Sequence, residues 1–126
     1  MTLLSQEDKI LVAGSNGMVG SSICRILIKN GYNYRKKNLL TISRNELDLR
    51  DSKKVSVWFK NNRPEIVIIA AAKVGGILAN QNKPVEFLLE NLKIQNNLIE
   101  NAFKYKAKRL LFLGSSCIYP KYCKQP

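Results

Sequence analysis

Histidine is absent from this 126-residue chain. That removes histidine-ligated metal sites, Ser-His-Asp triads and histidine acids from its own repertoire. Cysteine is sparse: Cys24, Cys117 and Cys123 are odd in number and none belongs to a Cys-x-x-Cys pair. Neither a disulfide framework nor a thiolate zinc site is indicated, and a reducing, cytoplasmic setting is expected. Acidic residues are few, 9 against 21 basic ones, for a formal charge of +12. Such a balance favours anionic partners: nucleotides, nucleic acid or an acidic surface. No apolar run reaches the roughly 18 residues of a membrane span, and no basic segment followed by an apolar stretch opens the chain, so neither secretion nor membrane insertion is expected. What is present is 45% hydrophobic and 24% charged residue with seven glycines, the composition of one soluble globular unit or a piece of one.

The apolar block Ile10-Leu11-Val12-Ala13 reads as a buried strand. From Gly17 to Asn30, apolar residues at three- and four-residue spacing (Met18, Val19, Ile23, Ile26, Leu27) predict a helix that Asn30-Gly31 stops. Leu39 to Ser43 predicts a second strand. Asp51-Ser52 then caps a helix whose inward stripe is Val55, Trp58 and Phe59, ended by Pro64. Ile66 to Ala72 is apolar on both faces of any strand, as a central parallel strand covered above and below would be. A glycine-containing loop spans Lys73 to Asn82. A long helix follows from Pro84 to about Lys104 through Leu88, Leu92, Ile99 and Phe103, and Arg109 to Leu113 gives a fourth strand. This alternation predicts an α/β fold, a Rossmann-type doubly wound parallel sheet cut short after its fourth strand. The expected spatial order is 3-2-1-4, with a ligand crevice outside the carboxyl ends of the first and fourth strands.

The loops expected there carry the chemistry. Gly14-Ser15-Asn16-Gly17-Met18-Val19-Gly20 joins the first strand to the first helix with glycines three apart. Gly14 permits a sharp turn, Gly17 lets a pyrophosphate approach the backbone, and Gly20 lets helix and strand pack closely. The helix N-terminus then offers unpaired N–H groups to phosphate. Glycines at a helix entry are also found in ordinary tight turns. At the end of the second strand, where an acidic residue would select NAD, Arg44 matches a 2′-phosphate in charge and fork geometry and favours NADP(H); a solvated loop arginine is the alternative. Asp48 and Leu49 either flank an adenine or cap the segment before the second helix. Leu113-Gly114-Ser115-Ser116-Cys117 ends the fourth strand. There a hydroxyl can stabilise a developing oxyanion and a thiolate can act as base, although Gly-Ser-Ser is also common turn chemistry.

Three strings together carry a family resemblance: Gly14 to Gly20, Ala70-Ala71-Ala72-Lys73-Val74-Gly75-Gly76-Ile77, and Leu111-Phe112-Leu113-Gly114-Ser115-Ser116-Cys117-Ile118-Tyr119-Pro120-Lys121. They resemble the GDP-L-fucose synthases of the extended short-chain dehydrogenase/reductase family, from Lys9 to Pro126 and over the leading part of a full-length member. The resemblance implies that residues 1–126 are an incomplete N-terminal NADP-binding part, with later strands and a substrate domain absent. It implies epimerisation of GDP-4-keto-6-deoxy-D-mannose at C3 and C5 and NADPH-dependent reduction at C4. Gly14 to Gly20 would be the phosphate loop, Arg44 the 2′-phosphate contact, Asp48 and Leu49 the adenine side. Ala71, Ala72 and Leu113 to Ser116 would line the cofactor. Ser115 would hold the keto oxygen and Cys117 would remove the neighbouring protons. Family members also use a Tyr-x-x-x-Lys pair on a later helix and a histidine acid, and they pair as homodimers. Tyr105, Tyr119 and Tyr122 are not followed by lysine at the fourth position, so this chain alone is expected to be inactive.

Three functional readings remain from the sequence. The first is the leading part of such an enzyme. The second is a non-catalytic NADP-binding module that needs a partner chain, or an NAD-dependent nucleotide-sugar epimerase/dehydratase. The third, a basic nucleic-acid-binding protein, rests on Arg35-Lys36-Lys37 and on Lys104, Lys106, Lys108 and Arg109, which lack interleaved stacking aromatics. Ending after the fourth strand would leave an open sheet edge and poor solubility.

Overall fold

A computed structural model describes residues 4–115, 118–120 and 122–124. Its elements are β1 (Ile10–Ala13), α1 (Met18–Lys29), β2 (Leu39–Ile42), α2 (Ser52–Asn62), β3 (Ile66–Ile69), α3 (Ile77–Asn82), α4 (Pro84–Lys104) and β4 (Arg109–Phe112). The strands form one parallel sheet with helices on both faces, as the alternation predicts. The predicted loop from Lys73 to Asn82 contains the short helix α3.

The strand order is β2-β1-β3-β4 rather than 3-2-1-4. After β2 the chain crosses beyond β1 and lays β3 on its other side. The physical reason lies in β3 itself: Ile66, Val67 and Ile69 are buried, with side chains entering the cores on opposite sheet faces. A strand apolar on both faces belongs inside the sheet, beside β1, and not beyond β2. The point where the order reverses therefore lies between β1 and β3, and by the switch-point rule a ligand is expected outside the carboxyl ends of those two strands rather than of the first and fourth.

Two cores hold the sheet. On one face, Ile10, Val12, Leu39 and Ile66 pack with Cys24 and Leu27 of α1 and with Tyr32. On the other, Leu11, Ala13, Val67 and Ile69 pack with Val55 and Phe59 of α2 and with Ile94, Leu98 and Ala102 of α4. Asp51 caps α2 as predicted, its carboxylate accepting the Lys54 N–H at 3.0 Å.

The long helix keeps its predicted bounds but turns a different stripe inward. Ile94, Asn97, Leu98, Asn101 and Ala102 are buried, whereas Leu88, Leu92, Ile99 and Phe103 are exposed. The two asparagines face inward because each has a hydrogen-bond partner there: the Asn97 amide donates to the Leu49 carbonyl at 2.8 Å and the Asn101 amide to the Asn97 carbonyl at 2.7 Å. Polar burial is tolerated once its donors are satisfied.

At the amino ends of the strands, Lys108 Nζ donates to Asp8 at 2.8 Å and pairs with Glu65 at 2.6 Å, tying the starts of β1, β3 and β4 together. The lysine holds both carboxyl groups below their usual values.

Candidate cofactor-binding site

Gly14 leaves β1 in the left-handed region, φ +87°. A Cβ there would lie 2.6 Å from the Ala70 carbonyl and the Ala71 nitrogen. The turn thus needs glycine for its dihedral and for the approach of the segment after β3. The Gly17 N–H donates to the Gly14 carbonyl at 3.0 Å and closes the turn. A Cβ on Gly20 would overlap the Gly14 carbonyl oxygen and sit 2.7 Å from its carbon, so this glycine lets α1 press onto the loop. Gly17 differs: a Cβ there would meet only the Gly14 oxygen, at 3.3 Å, leaving its outer side open.

Gly17 is also the N-cap of α1, with no side-chain cap bond and no acidic residue in the first turn. The first N–H groups of a helix have no partner inside it. Here Ser15 is half-buried while Asn16, Met18 and Val19 are exposed, so the positive end of the helix dipole opens on the surface of the loop. That donor set suits a diphosphate.

One strand away, Arg44 follows β2 and is exposed. Among the described residues it makes no ion pair. Beside it the loop is tied by Glu46, whose carboxylate accepts both the Ser43 N–H, at 3.0 Å, and the Ser43 hydroxyl, at 2.7 Å. Asp48 is engaged locally. Arg50 grips its carboxylate with bonds of 2.7 to 3.1 Å and holds its pKa down to about 2. Leu49 packs on the α4 side of the sheet. Both residues therefore fix the segment leading into α2.

After β3, Ala71 is half-buried and Ala72 exposed. The next residue, Lys73, is held by α4 in every part. Its N–H donates to Asn91 Oδ1 at 2.6 Å and its carbonyl accepts from Asn91 Nδ2 at 3.0 Å. Its ammonium reaches Glu90 at 2.8 Å and Glu86 at 3.1 Å, and those carboxylates raise its pKa. Glu90 also takes Arg50 at 3.0 Å. Asn91, Glu90 and Arg50 were not singled out in the sequence. The one available signal is an asparagine in the interior of a long amphipathic helix, where its propensity is poor.

The far corner is less supported. Leu113 is half-buried, its N–H donating to the Ile69 carbonyl at 3.2 Å. Gly114 and Ser115 are exposed, and a Cβ on Gly114 would meet none of the described residues within 4 Å. Ser116 and Cys117 lie outside the described residues. The Tyr-x-x-x-Lys spacing does occur once, at Tyr32 and Lys36. These residues follow α1 at the amino end of β2, opposite the glycine loop. Tyr32 is buried, donates to the Ser5 carbonyl at 2.8 Å, and has its pKa raised by burial. It is a core tyrosine.

Ala13, Ile42, Ile69 and Phe112 stand at one level of the sheet. The glycine loop, Arg44, the Ala70–Lys73 segment and the Leu113–Ser115 corner therefore all rise from the same edge. Gly14 touches Ala70 directly, Arg44 follows the adjacent strand, and Leu113 lies two strand spacings from Gly14, about 10 Å. Among the described residues no group of acidic and cysteine side chains could hold a metal ion, and no helix is long and apolar enough to cross a membrane.

A model of the NAD dependent epimerase/dehydratase family matches residues 10–126. GDP-L-fucose synthase 1 of Arabidopsis thaliana is 49% identical over 125 residues, which are 99% of this chain and 38% of that protein. GDP-L-fucose synthase of Escherichia coli K12 is 45% identical over 120 residues, 95% of this chain and 36% of that protein. The chain thus spans little more than a third of the length of the curated relatives it matches. Among solved structures, the GDP-mannoheptose C4 reductase of Campylobacter jejuni with NADP bound is similar at a TM-score of 0.89 and 38% identity, over 98% of this chain and 35% of that one.

Proposed function

The chain belongs to the NAD dependent epimerase/dehydratase family, and from that premise we propose that it is the NADP(H)-binding portion of an enzyme that turns GDP-4-keto-6-deoxy-D-mannose into GDP-L-fucose. One observation carries the reading: Gly14, Gly17 and Gly20 form a cradle closed on its inner side by Ala70 and open on its outer side at an uncapped helix N-terminus. Gly14 to Gly20 would hold the diphosphate through backbone N–H groups. Arg44 would take the 2′-phosphate with its guanidinium fork, and Ala71, Ala72 and Leu113 to Ser116 would wall the nicotinamide side. NADP-bound relatives favour the phosphorylated cofactor.

When bound, the cofactor supplies the hydride that reduces the C4 ketone. The chain's own residues would prepare that ketone. The Ser115 hydroxyl would donate to the keto oxygen and stabilise the enolate, which lowers the barrier to proton loss at C3 and C5. Cys117 would take those protons as thiolate, with reprotonation on the other face completing each inversion. The one Tyr-x-x-x-Lys spacing of the sequence, Tyr32 and Lys36, lies at the opposite end of the sheet from Ser115, so the proton that completes reduction would come from another group.

A second reading, a cofactor-binding module that works with another polypeptide, is favoured by β4, where all four residues are exposed. A chimera tests the first. Residues 4–124 would replace the matching segment of a full-length relative, and the hybrid is expected to turn over the keto-sugar with NADPH. Ser115→Ala in it is expected to slow turnover about 100-fold. A folded hybrid that fails to bind NADPH would contradict the reading.

A further inference from the structure

Asn91 sits in the middle of α4, and both ends of its amide bond the backbone of a single residue, Lys73. A neighbouring strand would supply the same donor and acceptor. Ala70 still donates its N–H to the Ala13 carbonyl at the end of β1, and by Lys73 it is the Asn91 amide that takes the place of a strand partner. Lys73 is the last residue of the stretch that begins at Ala70, against which Gly14 is wedged. A displacement at Lys73 reaches the glycine loop through two alanines.

The same residue is gripped through its side chain, and that grip runs on. Lys73 pairs with Glu90, Glu90 with Arg50, and Arg50 with Asp48. One chain of charges links the segment after β2 to the segment after β3 by way of α4. The core of α4 is secured elsewhere, by Ile94, Leu98 and Ala102. Asn91 adds to neither core, and among the described residues its amide bonds only Lys73.

We propose that Asn91 is a positioning residue for the cofactor. It holds Ala70–Lys73 as a preformed wall for the nicotinamide half, at a spacing from the adenine side that the Arg50–Glu90–Lys73 chain maintains. This rests on the NADP(H) reading above. A wall ordered in advance spares the ligand the cost of ordering it, so losing the clamp weakens ligands that reach the wall and spares those that do not.

The test compares NADPH with 2′,5′-ADP, which carries the adenosine and the 2′-phosphate but no nicotinamide, by titration calorimetry on the parent chain, Asn91→Ala, Asn91→Asp and Leu98→Ala. Asn91→Ala is expected to bind NADPH about tenfold more weakly, equivalent to about 1.4 kcal/mol, and 2′,5′-ADP within about twofold of the parent. Asn91→Asp keeps the acceptor for the Lys73 N–H but sets an oxygen against its carbonyl, and the same split is expected. Leu98→Ala is expected to lower Tm without separating the two ligands. A folded Asn91→Ala that binds NADPH as the parent does, or loses both ligands equally, overturns the proposal. If that variant does not fold, absence of the split in Asn91→Asp overturns it. A parent that binds neither ligand overturns the NADP(H) reading and this inference with it. A parent that binds both, with variants that do not split them, overturns this inference alone.

Discussion

The two ends of the candidate site differ in how much protein stands behind them. β1 is fully buried at all four positions, and the glycine that follows it is wedged against Ala70. β4 has Leu110, Leu111 and Phe112 at 39 to 51% exposure, and a Cβ on Gly114, two residues beyond it, would meet none of the described residues within 4 Å. A parallel strand is ordinarily covered on both faces. The phosphate end is thus supported by the described residues themselves, while the hydroxyl-bearing corner is not. On the proposed function, nucleotide binding is therefore expected to withstand changes at the Leu113–Ser115 corner better than changes at the glycine loop.

Glycine substitutions give the widest contrast. Gly20→Val drives a side chain into the Gly14 carbonyl. It is expected to cost about 3 kcal/mol or more and to abolish cofactor binding. Gly114→Ala, with no described residue within 4 Å of the added Cβ and without a positive φ, is expected to be neutral or to stabilise by up to about 1 kcal/mol. Urea midpoints distinguish the two, and equal effects would erase the comparison.

Aromatic truncation probes the same difference in the cores. Phe59 is fully buried between α2, α4 and the sheet, so Phe59→Ala is expected to cost about 3–5 kcal/mol. Phe112→Ala, on the open edge, is expected to cost less than about 1 kcal/mol. At the binding end, Arg44→Ala should weaken NADPH about tenfold or more and leave NADH unchanged, because only the former carries the 2′-phosphate.

The smallest effect is acid sensitivity. Asp48 is held down to about 2 by Arg50, and Asp8 and Glu65 are lowered by Lys108. A carboxyl whose folded pKa lies below its ordinary value stabilises the fold above that ordinary value, and the contribution fades as pH falls through the folded one. Tm should hold near neutrality and decline from about pH 4 toward pH 2. Asp48→Asn should flatten the lower part of that decline, and an unchanged curve would remove the Arg50 pairing from the account.

Much of the sheet was legible in residue patterns, because short apolar runs and a 3.6-residue period follow from burial. Gly14, Gly17 and Gly20 were legible for a related reason: few other residues fit a turn pressed between a strand, a helix and Ala70. The place of β3 differs from the order expected from the alternation alone, and its two apolar faces are the signal in the sequence for a place beside β1. The inward face of α4 was hidden because it buries two asparagines, whose partners Leu49 and Asn97 are set by tertiary packing. The Asn91 clamp was invisible for the same cause, since no local pattern couples residue 91 to residue 73. Tyr32-x-x-x-Lys36 shows the opposite hazard, a chemically suggestive spacing that the fold places in the core at the wrong end of the sheet.

The central claim is that the loop from Gly14 to Gly20, together with Arg44, forms a cofactor site supported by this chain's own core. Fluorescence titration of the purified 126-residue chain with NADPH, then with NADH, tests it most directly. Saturable one-to-one binding of NADPH, at least about tenfold tighter than NADH, is the expected result. A folded chain that binds neither nucleotide would contradict the account.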